Sequence, residues 1–335
     1  MNSAPTSVAV IGVGHMGRHH ARLYKELPQS NLVAVVDANA ERAAQVASEH
    51  GAKPYTSVDD LPDGIRAATV AVPTSHHVAV AEKLLRRGIA VLVEKPIAAT
   101  VAEAERLLAC ARETGSLLSV GHTERFNPVV RAISRLNIQP KFVESQRVSP
   151  FRFRSADIGV VMDIMIHDID IILSLIRSKP IRIDAVGVNV LAKHEDVANA
   201  RVVFENGAVA SLVASRLALK TDRRLRVFSE TAYCSLDYQK KSGVVITRDA
   251  NLDILSMAKD GKFESLSDMA NLDFGQMINV EPLIVDDVEP LRAELESFLE
   301  SVRTGRPPTI TAEDGVEAVR LATDIIAAIQ SHSWK

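Results

Sequence analysis

The hexapeptide Gly12-Val13-Gly14-His15-Met16-Gly17 directly follows a short apolar run at residues 8–11 and opens a stretch of helical period. Three glycines at that spacing restrict the chain to a strand, a tight turn and a helix packed close against the strand. The free N-terminal amides of that helix and its positive dipole end then face the turn, an arrangement suited to a pyrophosphate. The spacing alone is a weak signal, and its context strengthens it.

Asp37 lies twenty residues after Gly17, at the end of the second apolar run at 32–36. A carboxylate there accepts hydrogen bonds from adenosine ribose hydroxyls and repels a 2'-phosphate. Gly12, Gly14, His15, Met16, Gly17 and Asp37 are therefore expected to hold a dinucleotide, NAD in preference to NADP. Arg42 is near enough in sequence to leave some tolerance for NADP. The plainer reading is a tight turn with Asp37 capping the next helix.

Up to residue 122 short apolar runs at 8–11, 32–36, 68–72, 89–93 and 117–120 alternate with helical stretches, the grammar of strand-helix-strand units around a doubly wound parallel sheet. One helix ends near Pro28, others precede Gly51 and Gly88, and a fourth opens on the capping-box spacing Thr100 to Glu103 and closes at Gly115. After His122 the pattern changes. A helix is expected over 126–136, then strands at 142–148, 183–190, 200–204 and 209–217, with Asn206-Gly207 as a hairpin turn. Residues 251–285 show no clean period. Two helices follow, at 290–302 and 313–329, separated by Gly305-Arg306-Pro307-Pro308. The expected architecture is α/β: an N-terminal Rossmann domain at 1–122, and at 123–335 an α+β domain with an open, mostly antiparallel sheet.

A length of 335 residues suits two cores. The net charge of -3, without long runs of one sign, argues against a general nucleic-acid binder. Two cysteines, Cys110 and Cys234, without a Cys-x-x-Cys pair make neither a disulfide framework nor a thiolate zinc site. The first seven residues lack a secretory signal, and no apolar run approaches the roughly 20 residues that span a bilayer. A cytoplasmic enzyme of small molecules, with no membrane insertion, is the expectation.

Two further constellations carry chemistry. Glu94-Lys95-Pro96 stands at the end of the fifth strand, where ligands bind in doubly wound sheets; a surface ion pair at a strand end explains the tripeptide equally well. In the otherwise apolar segment 162–174, Asp163, His167, Asp170 and Ser174 recur at intervals of four, three and four, which places them along one face of a helix. Buried polar groups demand partners, so Asp163 and His167 are either a catalytic pair, the carboxylate orienting the imidazole, or structural bridges. Asp163, His167, Asp168 and Asp170 are also potential metal ligands. No second histidine cluster with ligand-like spacing supports a metal, and none is assigned. His19 and His20, on the first helix, read as packing or surface residues; His122, at the last strand before the change of pattern, is a candidate to line the cleft.

Taken together, GVGHMGRHHA, VPTSHH, VEKPIAAT, GHTERFNP and MDIMIHDID closely resemble the Gfo/Idh/MocA family of oxidoreductases, and TGRPPTITAEDGVEAVRLATDII resembles that family's last helical segment. The resemblance implies that Lys95 lies at the active site with Asp163 and His167. It also implies that Pro73, Thr74, His77 and Glu94 line the nicotinamide side of the cofactor, and that a face of the second sheet joins subunits into a homodimer or homotetramer. One departure stands out: many members carry a run of glycines before the aspartate, whereas this chain reads Asp157-Ile158-Gly159-Val160-Val161-Met162.

The family acts on sugars, inositols and sugar nucleotides. Within it, GHTERFNP, SPFRFRS and VVMDIMIHDIDI are similar to the UDP-N-acetylglucosamine 3-dehydrogenases associated with an amino-substituted lipid A precursor. If residues 150–154 run as a strand, Arg152 and Arg154 share a face and suit a diphosphate by bidentate bonding; a solvated edge is the competing reading. Asn127 is a further candidate substrate ligand. The implied reaction removes a hydride from a hydroxyl-bearing ring carbon, with His167 as general base, Asp163 orienting it and Lys95 stabilising the alkoxide or itself acting as base. The contrasting expectation on the same fold is a non-catalytic NAD-bound regulator.

Overall fold

The computed structural model describes residues 4–136, 138–151, 158–248 and 278–334. Its first sheet is six-stranded, in the order β3-β2-β1-β4-β5-β6, and every pairing is parallel. The strands are β1 (Thr6–Ile11), β2 (Ser30–Val36), β3 (Lys53–Tyr55), β4 (Ala67–Val70), β5 (Ala90–Glu94) and β6 (Leu118–Gly121). Helices α1 (His15–Glu26), α2 (Ala40–His50), α3 (His77–Arg86) and α4 (Val101–Thr114) connect them. The five expected strands are all present. The short edge strand β3, KPY, carries too few apolar residues to be read from periodicity.

These strands are apolar on both faces because helices cover both. Val8 and Val10 of β1 face a core with Leu23 and Tyr24 of α1 and Val46 of α2, while Ala9 and Ile11 face the opposite one with Leu84 and Leu85 of α3. Helix α4 opens with the expected capping box, Thr100 and Glu103 each bonding the other's backbone, and closes on Gly115 in the left-handed region at φ 64°.

The second sheet has eight strands in the order β14-β13-β12-β11-β7-β10-β9-β8, antiparallel except for the β7–β10 pair. They are β7 (Phe142–Val148), β8 (Pro180–Val188), β9 (Val197–Phe204), β10 (Val209–Ser215), β11 (Asp222–Phe228), β12 (Ala232–Asp237), β13 (Ser242–Arg248) and β14 (Ile278–Pro282). Asn206-Gly207 turns β9 into β10 as expected, with Gly207 at φ 82°. The helix expected over 126–136 is a 3-10 turn, Thr123–Phe126, followed by α5 (Pro128–Ser134), because Asn127 caps the second piece and Pro128 starts it.

The segment expected as one helix over 162–174 is a single π turn, Val161–Met165, leading into α6 (Ile166–Ile176). Near the C-terminus α7 (Pro290–Thr304) lays Leu291, Leu295, Phe298 and Leu299 against the α1 side of the first sheet, and α8 (Ala312–Ser331) is bound to β6 by a bridge between Ser119 and Thr311. Among the described residues no helix is long and apolar enough to cross a membrane.

Candidate active site

One cavity of about 1660 Å³ runs from the carboxyl ends of β1, β2 and β4 to the start of α6. Strand order reverses between β1 and β4, which is where such sheets bind ligands. At that end Gly12 has φ 82°, and a Cβ on it would lie 2.7 Å from the Val72 amide nitrogen. A Cβ on Gly17 would strike the Gly12 carbonyl oxygen, while Gly14 opens onto free space. The turn is thus pressed against β4 on one side and bare on the other, as close approach of a pyrophosphate requires. Asp37 Oδ2 accepts the Val13 amide at 3.0 Å and Oδ1 accepts the Asn39 amide at 2.9 Å, so its carboxylate is held at the mouth, with Arg42 3.5 Å away. His15, Met16, Pro73 and Thr74 also line the cavity. The residues present fit a dinucleotide.

His77 sits 1% exposed at the start of α3, its two ring nitrogens each 2.9 Å from a main-chain carbonyl, of Pro96 and of Val72. Its ring therefore ties the loop after β4 to the cis Lys95–Pro96 peptide. Glu94 accepts a hydrogen bond from His20 Nε2 at 2.8 Å, a partnership the sequence reading did not foresee; His20 is buried, whereas His19 is exposed. Burial alone would raise the Glu94 carboxyl, but His20 and Lys95 beside it hold it below the usual carboxylate range.

Lys95 projects from the end of β5 to the π turn, donating from Nζ to the Asp163 main-chain oxygen at 2.8 Å and lying 3.6 Å from Asp163 Oδ1. His167 lines the same cavity. The expected Asp163–His167 hydrogen bond is not formed: the carboxylate of Asp163 faces Lys95, and His167 Nδ1 is buried without a hydrogen-bond partner. The wider π turn alters the phase between positions 163 and 167 that an α-helical period assumes. Burial, reinforced by the Lys95 and Arg147 charges, pushes the His167 ring well below the ordinary imidazole value. Burial also lowers Lys95, with Asp163 and Glu94 opposing. The buried His167 ring and the Lys95 Nζ, the latter beside the Asp163 carboxylate, thus share one wall.

The rest of the polar stripe is structural. Asp170 takes two hydrogen bonds from Arg125 at 2.8 Å, and the Ser174 hydroxyl donates to the Ile171 carbonyl. Asp168, once a potential metal ligand, accepts Ser145 Oγ at 2.5 Å and Arg147 Nη2 at 2.7 Å in a fully buried pair. Arg147 also donates to Glu124, which accepts Arg223 and Asn127 as well. The amide of Asn127, expected at the substrate, is spent on Glu124 and on capping α5, although the residue borders the cavity. The sequence reading missed Arg147 and Glu124. The signal was there: along β7 Val143, Ser145 and Arg147 share the inward parity, and a polar pair on a buried face needs partners. His122, expected as a cleft residue, is absent from the lining; it is 1% exposed with neither ring nitrogen partnered. Arg152 and Arg154 fall outside the described residues.

Residues 6–122 match the oxidoreductase family described as an NAD-binding Rossmann fold, and residues 134–234 match the GFO/IDH/MocA C-terminal domain. The chain is 34% identical over 323 residues to UDP-N-acetylglucosamine 3-dehydrogenase of Acidithiobacillus ferrooxidans, covering 96% of each chain. This chain belongs to the Gfo/Idh/MocA family. A solved structure of the same Acidithiobacillus protein superposes with a TM-score of 0.86 at 32% identity, covering 98% of this chain and 99% of that one. Another family member, scyllo-inositol 2-dehydrogenase (NAD(+)) of Bacillus subtilis, is 28% identical over 328 residues, covering 91% of this chain and 89% of its own. A levoglucosan dehydrogenase in complex with NADH shares the fold, with a TM-score of 0.82 at 18% identity and 98% coverage of both chains. The chain is an NAD-binding oxidoreductase of this family.

Proposed function

We propose that this oxidoreductase removes the hydride from C3 and the proton from the 3-hydroxyl of a UDP-N-acetylglucosamine-type nucleotide sugar in the cytoplasm, leaving a ketone at C3. The observation that carries the reading is the sharing of one cavity by the Gly12–Asp37 end and by Lys95, Asp163 and His167. The name of the Acidithiobacillus relative supplies the substrate class.

Bound NAD would supply the hydride acceptor. The protein moves the proton. His167, kept neutral by burial, accepts it from the substrate hydroxyl, and the Lys95 ammonium, held by Asp163, steadies the oxygen as charge develops on it. Asp163 acts on Lys95 rather than on His167. Residues 1–122 would bind the dinucleotide and 123–335 the sugar, with Arg152 and Arg154 as candidate diphosphate ligands. Exposed Ile181 and Val188 on β8 and Val280 on β14 favour a second copy of the chain against the second sheet.

The test is reduction of NAD by UDP-N-acetylglucosamine, by UDP lacking the sugar, and by scyllo-inositol, with wild type and Lys95→Met. Turnover confined to the nucleotide sugar and abolished in the variant, with NAD affinity unchanged, supports the reading. Turnover with inositol alone would transfer it to the Bacillus relative's chemistry, and inertness toward all, alongside tight NAD retention, to a regulator.

A further inference from the structure

The π turn that carries Asp163 is fastened at its start by a residue from the second sheet. Glu195, just before β9, accepts the Val160 amide on its main-chain oxygen at 2.9 Å and the Val161 amide on Oε1 at 3.2 Å. It therefore satisfies two of the donors that a helix start leaves bare. Gly159 is buried against this carboxylate, and any Cβ there would land on it. Asp196, the next residue, binds Arg216 at 2.6 Å, and Arg216 donates to the Ile158 carbonyl at 2.7 Å. Asp196 is itself fixed by the amides of Val190, Leu191 and Ala192. The 190–196 loop thus holds residues 160 and 161 directly and residue 158 through Arg216.

Downstream the turn has little freedom to absorb a shift. The Ile166 amide bonds back to Val161 across five residues, Asp163 bonds back to Gly159, and the Asp163 main-chain oxygen receives Lys95. π turns are frequent where a side chain or carbonyl has to be re-aimed at a functional site.

We infer that Glu195 is a positioning residue for Lys95: by capping the π turn over Gly159 it aims the Asp163 carbonyl and carboxylate at the Lys95 ammonium. This rests on the reading of Lys95 as an active-site cation. It also gives Gly159 a reason, since a side chain at that position would occupy the space the Glu195 carboxylate takes.

The experiment reads Lys95 directly, with no sugar present. Competitive acetylation by acetic anhydride across pH, followed by mass spectrometry of the Lys95 peptide, gives the ammonium's titration midpoint in the full-length protein. The charged groups around Lys95 are Asp163 and Glu94, which favour its protonated form, and Arg147, which opposes it; His167 and His122 stand nearby. Glu195→Ala should release the turn, weaken the Asp163 contacts and move the midpoint to lower pH, while Glu195→Gln, which keeps an acceptor oxygen, should stay near wild type. Gly159→Ala, which displaces the carboxylate by its own methyl, should act like Glu195→Ala. Where turnover is measurable, kcat should fall on the order of 10- to 100-fold in Glu195→Ala, with NAD affinity unchanged. An unmoved midpoint in both Glu195→Ala and Gly159→Ala, or equal shifts in Glu195→Ala and Glu195→Gln, overturns the inference. A shifted midpoint in a protein inert toward UDP-N-acetylglucosamine would leave the clamp standing and remove the substrate reading instead.

Discussion

Asp37 accepts the amide of Val13 through a carboxylate that also receives the amide of Asn39, so the residue proposed to meet the adenosine ribose is bonded to the very turn proposed to hold the pyrophosphate. Replacing it therefore does two things at once: it removes the ribose acceptor and loosens the turn. Asp37→Ser should lower the ratio of NAD to NADP efficiency at least about tenfold, since charge-assisted hydrogen bonds contribute about 1.5–3 kcal/mol each. Arg42, 3.5 Å away, is positioned to meet a 2'-phosphate once the carboxylate is gone. Steady-state kinetics with both cofactors decide it, and an unchanged ratio would refute the assignment.

The wall shared by His167 and Lys95 fixes the sign of the pH dependence. A base has to be unprotonated, so activity is lost as pH falls through the His167 pKa, and burial places that limb well below pH 6.5. A stabilising ammonium has to be protonated, so activity is lost as pH rises through the Lys95 pKa, which burial brings below 10.5. The expected kcat profile has an acid limb below pH 6.5 and an alkaline limb below pH 10.5, the latter moved upward by Lys95→Arg. An acid limb at or above pH 6.5 that survives His167→Gln would rule out His167 as the base.

His122 should make the fold acid-sensitive. Burial lowers its ring below 6.5, the value expected for the unfolded chain, so the unfolded state takes up the proton first. Its contribution is complete above about pH 6.5 and declines as pH falls to the folded-state pKa, by about 1.4 kcal/mol per pH unit over that window. Thermal melts of His122→Leu between pH 7.5 and 5.5 should therefore show a shallower loss of Tm than wild type. Parallel curves would mean that His122 does not titrate on unfolding.

Removing one member of the Asp168–Arg147 pair should cost more than the pair itself contributes. Arg147 is 3% exposed, and its charge would be left with Glu124 as its remaining carboxylate partner. Asp168→Ala is expected to destabilise the protein by about 3–5 kcal/mol, read as a lower urea midpoint. A loss below about 1 kcal/mol would show that water or a moved side chain replaces Asp168.

The first sheet was legible because each of its longer strands is apolar on both faces and is punctuated by glycine, proline or a capping residue. The later strands of the second sheet were not. In β11, DRRLRVF, Leu225 and Val227 are the buried apolar residues; Arg223 shares their parity and reaches Glu124, while Arg226, on the opposite face, pairs with Glu144 across the sheet. Two buried apolar residues make too short an alternation to stand out from a loop. Lys95, Asp163 and His167 were legible as residue types in a pattern, and they do border one cavity. Their mutual contacts were not legible, because a helical period of 3.6 carries no sign of a π turn. Arg147, Glu124 and His20 escaped for another reason: each is explained by a partner at least twenty residues away in the chain.

Helix α7 gives the N-terminal sheet something that the first 122 residues do not encode. Four of its side chains, Leu291, Leu295, Phe298 and Leu299, are buried with Val8, Val10 and Leu92, and Arg292 and Glu289 reach Glu26 and Arg22 on α1. At roughly 1.5–3 kcal/mol per buried apolar side chain, that lid supplies on the order of 10 kcal/mol before entropy is counted. A chimera that borrowed only the leading half of this polypeptide would inherit a greasy flank in place of a finished module, and would have to bring residues 290–304 with it to remain dispersed in water.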